Sequence, residues 1–233
     1  MRPLLIVKNG STHPEIAAQW GDFEDWIASG LGAARTSVWV VDPREGAPLP
    51  SPAQVAGAVL TGSHSMVTDR EPWSEQTADW LRTAVAAELP VLGICYGHQL
   101  LAHALGGEVA FHPVGIELGT VDVELDPQAT QHDPLFHGLP ANFKGQAAHR
   151  QHVRRLPPGA VRLAGNAFEP HQAFRAGRRA WGVQFHPEFG AAATAAYVRL
   201  HADPAQPAPS VADTPEAASL LARFAALALQ PHT

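Results

Sequence analysis

One cysteine, Cys95, is all the chain has among 233 residues. No intrachain disulfide can form, so no disulfide framework points to secretion. No apolar run reaches the ~18 residues of a membrane span. The first apolar run, Leu4-Leu5-Ile6-Val7, is too short for a signal peptide and reads as a strand. Charge is scarce at 16% of residues, and acidic groups outnumber basic ones 22 to 16, a formal net charge of −6. The basic footprint of a nucleic-acid binder is missing. Lysine is nearly absent, with only Lys8 and Lys144, an arginine bias best read as compositional habit. These absences predict a cytoplasmic enzyme or binding protein that engages neither nucleic acid nor membrane.

Apolar residues make up 45% of the chain, enough for a sizeable core and too many for a disordered chain. The length suggests one α/β domain over residues 1–233. Residues 4–8 read as a buried strand. Ile16, Trp20, Phe23 and Ile27, spaced by three and four, predict one amphipathic helix from Pro14 to Gly30 or Gly32. Strands are expected at 36–41, 57–61 and 90–94, with helices at 73–88 and 96–105. Strand alternating with helix argues for a parallel sheet with helices on both faces. From 119–125 onward the pattern changes to short strands, near 142–148, 161–164, 172–175 and 180–186, which suit an antiparallel edge. A helix begins near Ala191. The proline-bearing stretch 203–215 reads as a surface loop, followed by a helix over 216–229. Residues 191–233 are thus expected to form a helical extension beyond a core at about 4–190.

The informative stretch is Gly93-Ile94-Cys95-Tyr96-Gly97-His98-Gln99. An apolar strand runs straight into a helical pattern, with a glycine two residues to either side of the cysteine. Such a sharp turn is the nucleophile elbow of G-x-S-x-G hydrolases with sulfur in place of oxygen. A helix N-terminus offers positive potential and unpaired N–H groups, an environment that favours a thiolate nucleophile. The Tyr96 N–H is placed to meet an oxyanion, and Gly62 or Ser63, ending the preceding strand, supplies a second donor. A cysteine nucleophile needs a base, and a base needs an orienting group. His186 and Glu188 in Phe185-His186-Pro187-Glu188-Phe189 lie two apart, so on an extended backbone they point the same way. A carboxylate there holds the imidazole as in a Ser-His-Asp triad.

Taken together, Gly93-Ile-Cys-Tyr-Gly-His-Gln99 and Gly182-Val-Gln-Phe-His-Pro-Glu188 resemble the class I, triad-type glutamine amidotransferases, and within them the GMP synthase amidotransferase-like group. The resemblance implies a three-layer, flavodoxin-like fold and hydrolysis of the side-chain amide of L-glutamine, or of another γ-glutamyl compound, through a γ-glutamyl thioester on Cys95. It implies that His186 moves the protons, Glu188 orients His186, and Tyr96 and Gly62 hold the oxyanion. Gln99, Ser63 and His149 match substrate-binding positions. The family's Ser-His-x-Asp segment is matched by Ala148-His149-Arg150-Gln151, and its frequent Gly-Gly-Pro by Gly62-Ser63-His64. No cofactor is implied. No Ser-Gly-Gly-x-Asp-Ser segment of an ATP pyrophosphatase is present, so the expected partner is a separate synthetase that takes the ammonia. A stand-alone γ-glutamyl peptidase is the first alternative, and a non-catalytic module of the same fold the second.

The spacings of His149 with His152 and of His98 with His103 are not supported by a second cysteine or a carboxylate, so no metal site is expected. The arginines between 150 and 180 read as solvated charge. The six tryptophans read as core or rim packing.

Overall fold

The computed structural model describes residues 2–32 and 38–230. Its elements run β1 (Leu4–Val7), α1 (Pro14–Trp20), α2 (Phe23–Gly30), β2 (Val38–Val41), β3 (Gly57–Leu60), α3 (Pro72–Ala86), β4 (Val91–Ile94) and α4 (Tyr96–Ala104). There follow β5 (Glu108–Phe111), β6 (Glu117–Leu125), α5 (Pro127–Thr130), β7 (Asn142–His149), β8 (Gln151–Arg155), β9 (Val161–Gly165), β10 (Ala173–Ala176), β11 (Ala180–Val183), α6 (Ala191–His201) and α7 (Pro215–Leu229).

One large sheet has the strand order β2-β1-β3-β4-β11-β10-β9-β6-β7. The strands from β2 to β11 are parallel, and β10, β9, β6 and β7 continue the sheet antiparallel. This is the mixed α/β architecture that the alternating first half and short-stranded second half imply. Side chains of a strand alternate between faces, and the two cores divide accordingly. Leu4, Ile6, Val59, Leu92 and Ile94 pack on one face beneath α2 and α7. Leu5, Val7, Ala58, Leu60 and Val91 pack on the other beneath α3 and α4. With helices on both faces, β1, β3 and β4 are buried throughout, which is why they lack polar alternation.

Four expectations change. The helix from Pro14 to Gly30 is two helices. Gly21 turns the chain at φ 86°, and the Asp22 carboxylate accepts the Phe23 N–H and starts α2 with a capping box to Asp25. The segment 191–230 is no appendage, because α7 inserts Leu220, Leu221 and Phe224, each at most 1% exposed, into the core. Strands β5 and β8 form a separate two-stranded antiparallel ribbon that the hydrophobic pattern does not reveal. The final strand stops at Val183 rather than reaching residue 186. Of the expected strand 36–41, residues 36 and 37 lie outside the described residues. Among the tryptophans, Trp181 is buried but Trp39, on the edge strand β2, is 42% exposed.

Candidate active site

The ends of β3, β4 and β11 converge on one cleft of about 280 Å³. Cys95 ends β4 and begins α4. Its backbone sits at φ 49°, ψ −101°, a conformation L-residues rarely hold. Neighbours without side chains make this turn possible. A Cβ on Gly93 would run into the Gly97 carbonyl, and one on Gly97 would lie 2.7 Å from both Cβ and the carbonyl oxygen of Leu60. The Cys95 N–H donates to the Val183 carbonyl at 2.9 Å, tying the turn to β11.

His186 reaches Cys95 from the segment after β11. Its N–H donates to the Gln146 carbonyl at 2.7 Å, and its ring stacks on Phe189 with centroids 4.0 Å apart. His186-Pro187-Glu188 forms a turn, not an extended strand end, and the Phe189 N–H closes back on the His186 carbonyl at 3.4 Å. The turn brings Glu188 Oε1 to 2.7 Å from His186 Nδ1. Nδ1–H donates to the carboxylate, so Nε2 is left for the thiol, with which the ring is in hydrogen-bond reach. Burial opposes charge on His186, but the Glu188 carboxylate and the anionic form of Cys95 outweigh it and raise its pKa to about 10. Gly62 lies at the same junction, where an added Cβ would stand 3.1 Å from His186 Cε1. Thus the structure brings Cys95, His186, Glu188, Gly62 and Tyr96 together. The Tyr96 phenol points away from the cleft and bonds Ser74 Oγ at 2.6 Å, so only its backbone faces the site.

Ser63, Gln99 and His149 also line the cleft. The Gln99 amide is oriented by two acceptors, the Gln151 carbonyl at 2.7 Å and Gln184 Oε1 at 3.0 Å. Both N–H donors are used, leaving its oxygen free to accept. His149 is held by the Gln151 carbonyl at 3.0 Å and Glu117 Oε2 at 2.8 Å. Gln151 Nε2 donates to Thr68 Oγ1 at 2.6 Å, and its Oε1 is buried without a protein partner. Ser63 Oγ accepts the Ser65 N–H at 3.1 Å.

Apart from His64, which stands in the Gly62-Ser63-His64 match, a further part of the lining escaped the sequence reading. His13, His64, Tyr197 and His201 arrive from three distant segments and line the cleft together. His13 and His201 share a 2.9 Å contact between their Nε2 atoms, and Tyr197 Oη lies 3.2 Å from His64 Nε2 and 2.8 Å from Thr12 Oγ1. Burial, reinforced by His13 and His201, pushes His64 down to about 4, and burial likewise lowers His201. Burial therefore disfavours positive charge on His64 and His201. No local motif predicts this grouping, because only the fold makes these residues neighbours.

The remaining sequence candidates do not join the site. His98 is fully buried against Phe174 with its pKa lowered to about 3 by burial, and His103 Nε2 lies 2.9 Å from Glu75. Arg154 pairs with Glu108 at 3.0 Å at the surface, whereas Arg175 reaches inward to the buried Asp133 at 2.9 Å and departs from the expected solvated charge.

Residues 21–200 match the family Glutamine amidotransferase class-I, well over half of the chain. A GMP synthase [glutamine-hydrolyzing] from Thermomicrobium roseum is 42% identical over 132 residues, which is 57% of this chain and 23% of that protein. The glutamine-hydrolysing GMP synthase subunit of Methanocaldococcus jannaschii is 34% identical over 136 residues, 58% of this chain and 65% of that protein. A gamma-glutamyl-L-1-hydroxyisopropylamide hydrolase from a Pseudomonas species is 33% identical over 150 residues, 61% of this chain and 50% of that protein. The chain thus spans less than two thirds of the length of each of these relatives. A glutamine amidotransferase structure from Methylobacillus flagellatus superposes with a TM-score of 0.76 at 25% identity, covering 100% of this chain and 97% of that one.

Proposed function

The chain belongs to the class I glutamine amidotransferase family, and from that footing we propose that it hydrolyses the side-chain amide of L-glutamine through a Cys95-His186-Glu188 triad and delivers ammonia to a separate synthetase. The observation that carries this reading is the His186 Nδ1 to Glu188 Oε1 contact of 2.7 Å beside a cysteine held at φ 49° on a strand-to-helix turn.

The chemistry follows from those positions. Cys95 Sγ attacks the side-chain carbonyl carbon, and the carbonyl electrons move onto oxygen. The N–H groups of Tyr96 and of the Gly62-Ser63 turn meet that oxyanion. The thiol proton, held on His186 Nε2, passes to the leaving nitrogen as the C–N bond breaks. Ammonia departs and a γ-glutamyl thioester remains. His186 then takes a proton from water, the hydroxide attacks the thioester carbon, the C–S bond breaks, and glutamate leaves. The free acceptors Gln99 Oε1 and Gln151 Oε1 suit the α-amino group of the glutamyl moiety, with Gln151 offering an amide oxygen where the family pattern has a carboxylate.

A second reading has its own observation. The His13-His64-Tyr197-His201 wall lines the cleft, with His64 near enough to His186 to feel its charge. A surface of aromatic rings suits an N-substituent larger than hydrogen, as in a γ-glutamyl alkylamide or dipeptide. The deciding experiment is glutamate release from L-glutamine and from a panel of γ-glutamyl amides, with the unsubstituted chain beside Cys95→Ala. Glutamine turnover lost in the variant supports the amidotransferase reading. Turnover of substituted amides alone supports the hydrolase reading. Turnover that survives Cys95→Ala overturns both.

A further inference from the structure

Behind the cleft wall that carries His149 and Gln151 lies a second polar cluster that the mechanism does not use. His112 follows β5, His152 sits on β8, and Glu169 lies in the turn between β9 and β10. One ligand-type atom from each lies within 4.8 Å of the others. Glu169 is completely buried, and the two histidines are each 8% exposed. We propose that His112, His152 and Glu169 form a binding site for one divalent transition-metal ion of the zinc type, completed by water.

The donor set and its surroundings carry this assignment. His152 Nδ1 and Glu169 Oε2 stand 3.4 Å apart, and neither has a protein hydrogen-bond partner among the described residues. That separation is the edge of a tetrahedron with metal–ligand bonds of about 2.1 Å. A buried ring nitrogen and a buried carboxylate oxygen at this separation are satisfied by a shared proton or by a cation between them. The outer contacts of His112 and Glu169 set which of their atoms are left to ligate. His112 Nε2–H donates to the Phe168 carbonyl at 3.0 Å, which fixes the tautomer that presents Nδ1 as a lone pair. The bond competing for that lone pair is a 3.2 Å approach from the Val114 N–H, which a metal would displace. Glu169 Oε1 accepts the His171 N–H at 2.8 Å, leaving Oε2 as the ligating oxygen. Two imidazoles and one carboxylate form a donor set suited to zinc, with an open position for water. The three ligands come from separate segments, so a bound ion would staple the β5–β8 ribbon to the turn at 166–171. It would thereby steady Gln151, whose carbonyl holds both Gln99 and His149.

Zinc and cobalt are the probes. Chelator-stripped chain is dialysed against zinc, and bound metal is measured for the unsubstituted chain, Cys95→Ala, Glu169→Gln and His152→Ala. The expected result is one ion per chain in the first two and at least a tenfold weaker affinity in the other two, about the loss seen when a ligand or its support is removed. Glu169→Gln keeps the side-chain shape, and circular dichroism checks that each variant is folded. Should either variant fail to fold, cobalt in the unsubstituted chain decides. A four-coordinate visible spectrum without a thiolate charge-transfer band supports the site, and a thiolate band or an octahedral spectrum overturns it. No uptake by the unsubstituted chain, or full uptake retained in either folded ligand variant, overturns the proposal. These readouts do not depend on what Cys95 hydrolyses.

Discussion

Glu188 Oε1 lies 2.7 Å from His186 Nδ1 because Pro187 turns the chain between them. The ion pair is nearly dry, with His186 3% and Glu188 8% exposed. Replacing Glu188 with Gln keeps the shape and removes the charge. Activity is expected to fall by about 10²–10⁴-fold, the range found when a triad carboxylate is neutralised. The alkaline limb of the pH–rate profile, set by His186 near 10, should move to lower pH in the variant.

The same pair makes stability depend on pH. The folded pKa of His186 is raised above its ordinary 6.5 to about 10. The folded state therefore holds the proton more tightly than the unfolded chain. This contribution is complete below about pH 6.5, declines as pH rises, and is gone above about 10. Melting temperatures across that window should fall more steeply for the unsubstituted chain than for Cys95→Ala or Glu188→Gln. Equal slopes would show that the pair does not hold the proton.

Cys95 is strained at φ 49°, ψ −101°. Such a conformation stores roughly 1–3 kcal/mol, while glycine loses about 0.5–1 kcal/mol more than alanine to chain entropy. Strain relief is the larger effect. Cys95→Gly is expected to melt higher than Cys95→Ala by about 1 kcal/mol, and both are expected to lose activity. Calorimetry of the two variants checks the order.

A Cβ added at Gly62 would stand 3.1 Å from His186 Cε1 and 3.8 Å from Cys95 Cβ. The imidazole must shift by a few tenths of an ångström. Geometry at a reacting centre matters far more to rate than to folding. Gly62→Ala should lower kcat by about tenfold or more with a change in melting temperature of only a few degrees. An unchanged kcat would mean that the ring has room to move.

Tyr197 and His64 line the cleft together, joined by a 3.2 Å contact. Their truncation to alanine should change kcat/KM for N-substituted γ-glutamyl amides more than for glutamine. Removing one ring contact in an apolar pocket is worth about 1–3 kcal/mol, or roughly 10–200-fold. Equal effects on both substrate classes would remove the wall from substrate selection.

The local sequence by itself determined the reactive pieces. The apolar run before Cys95, the glycines at 93 and 97, and the His186-Pro187-Glu188 spacing are short-range features whose geometry is set within a few residues. Even there, the turn at Pro187 replaced the extended strand end, since Glu188 reaches His186 only by chain reversal. Tertiary structure alone decided what surrounds those pieces. His13, His64 and His201 are 51 to 188 residues apart and meet because α1 and α6 pack beside the end of β3. The cluster of His112, His152 and Glu169 likewise depends on the β5–β8 ribbon meeting the turn before β10. Periodicity reports which face of an element is apolar, whereas contacts between elements depend on how the whole core packs.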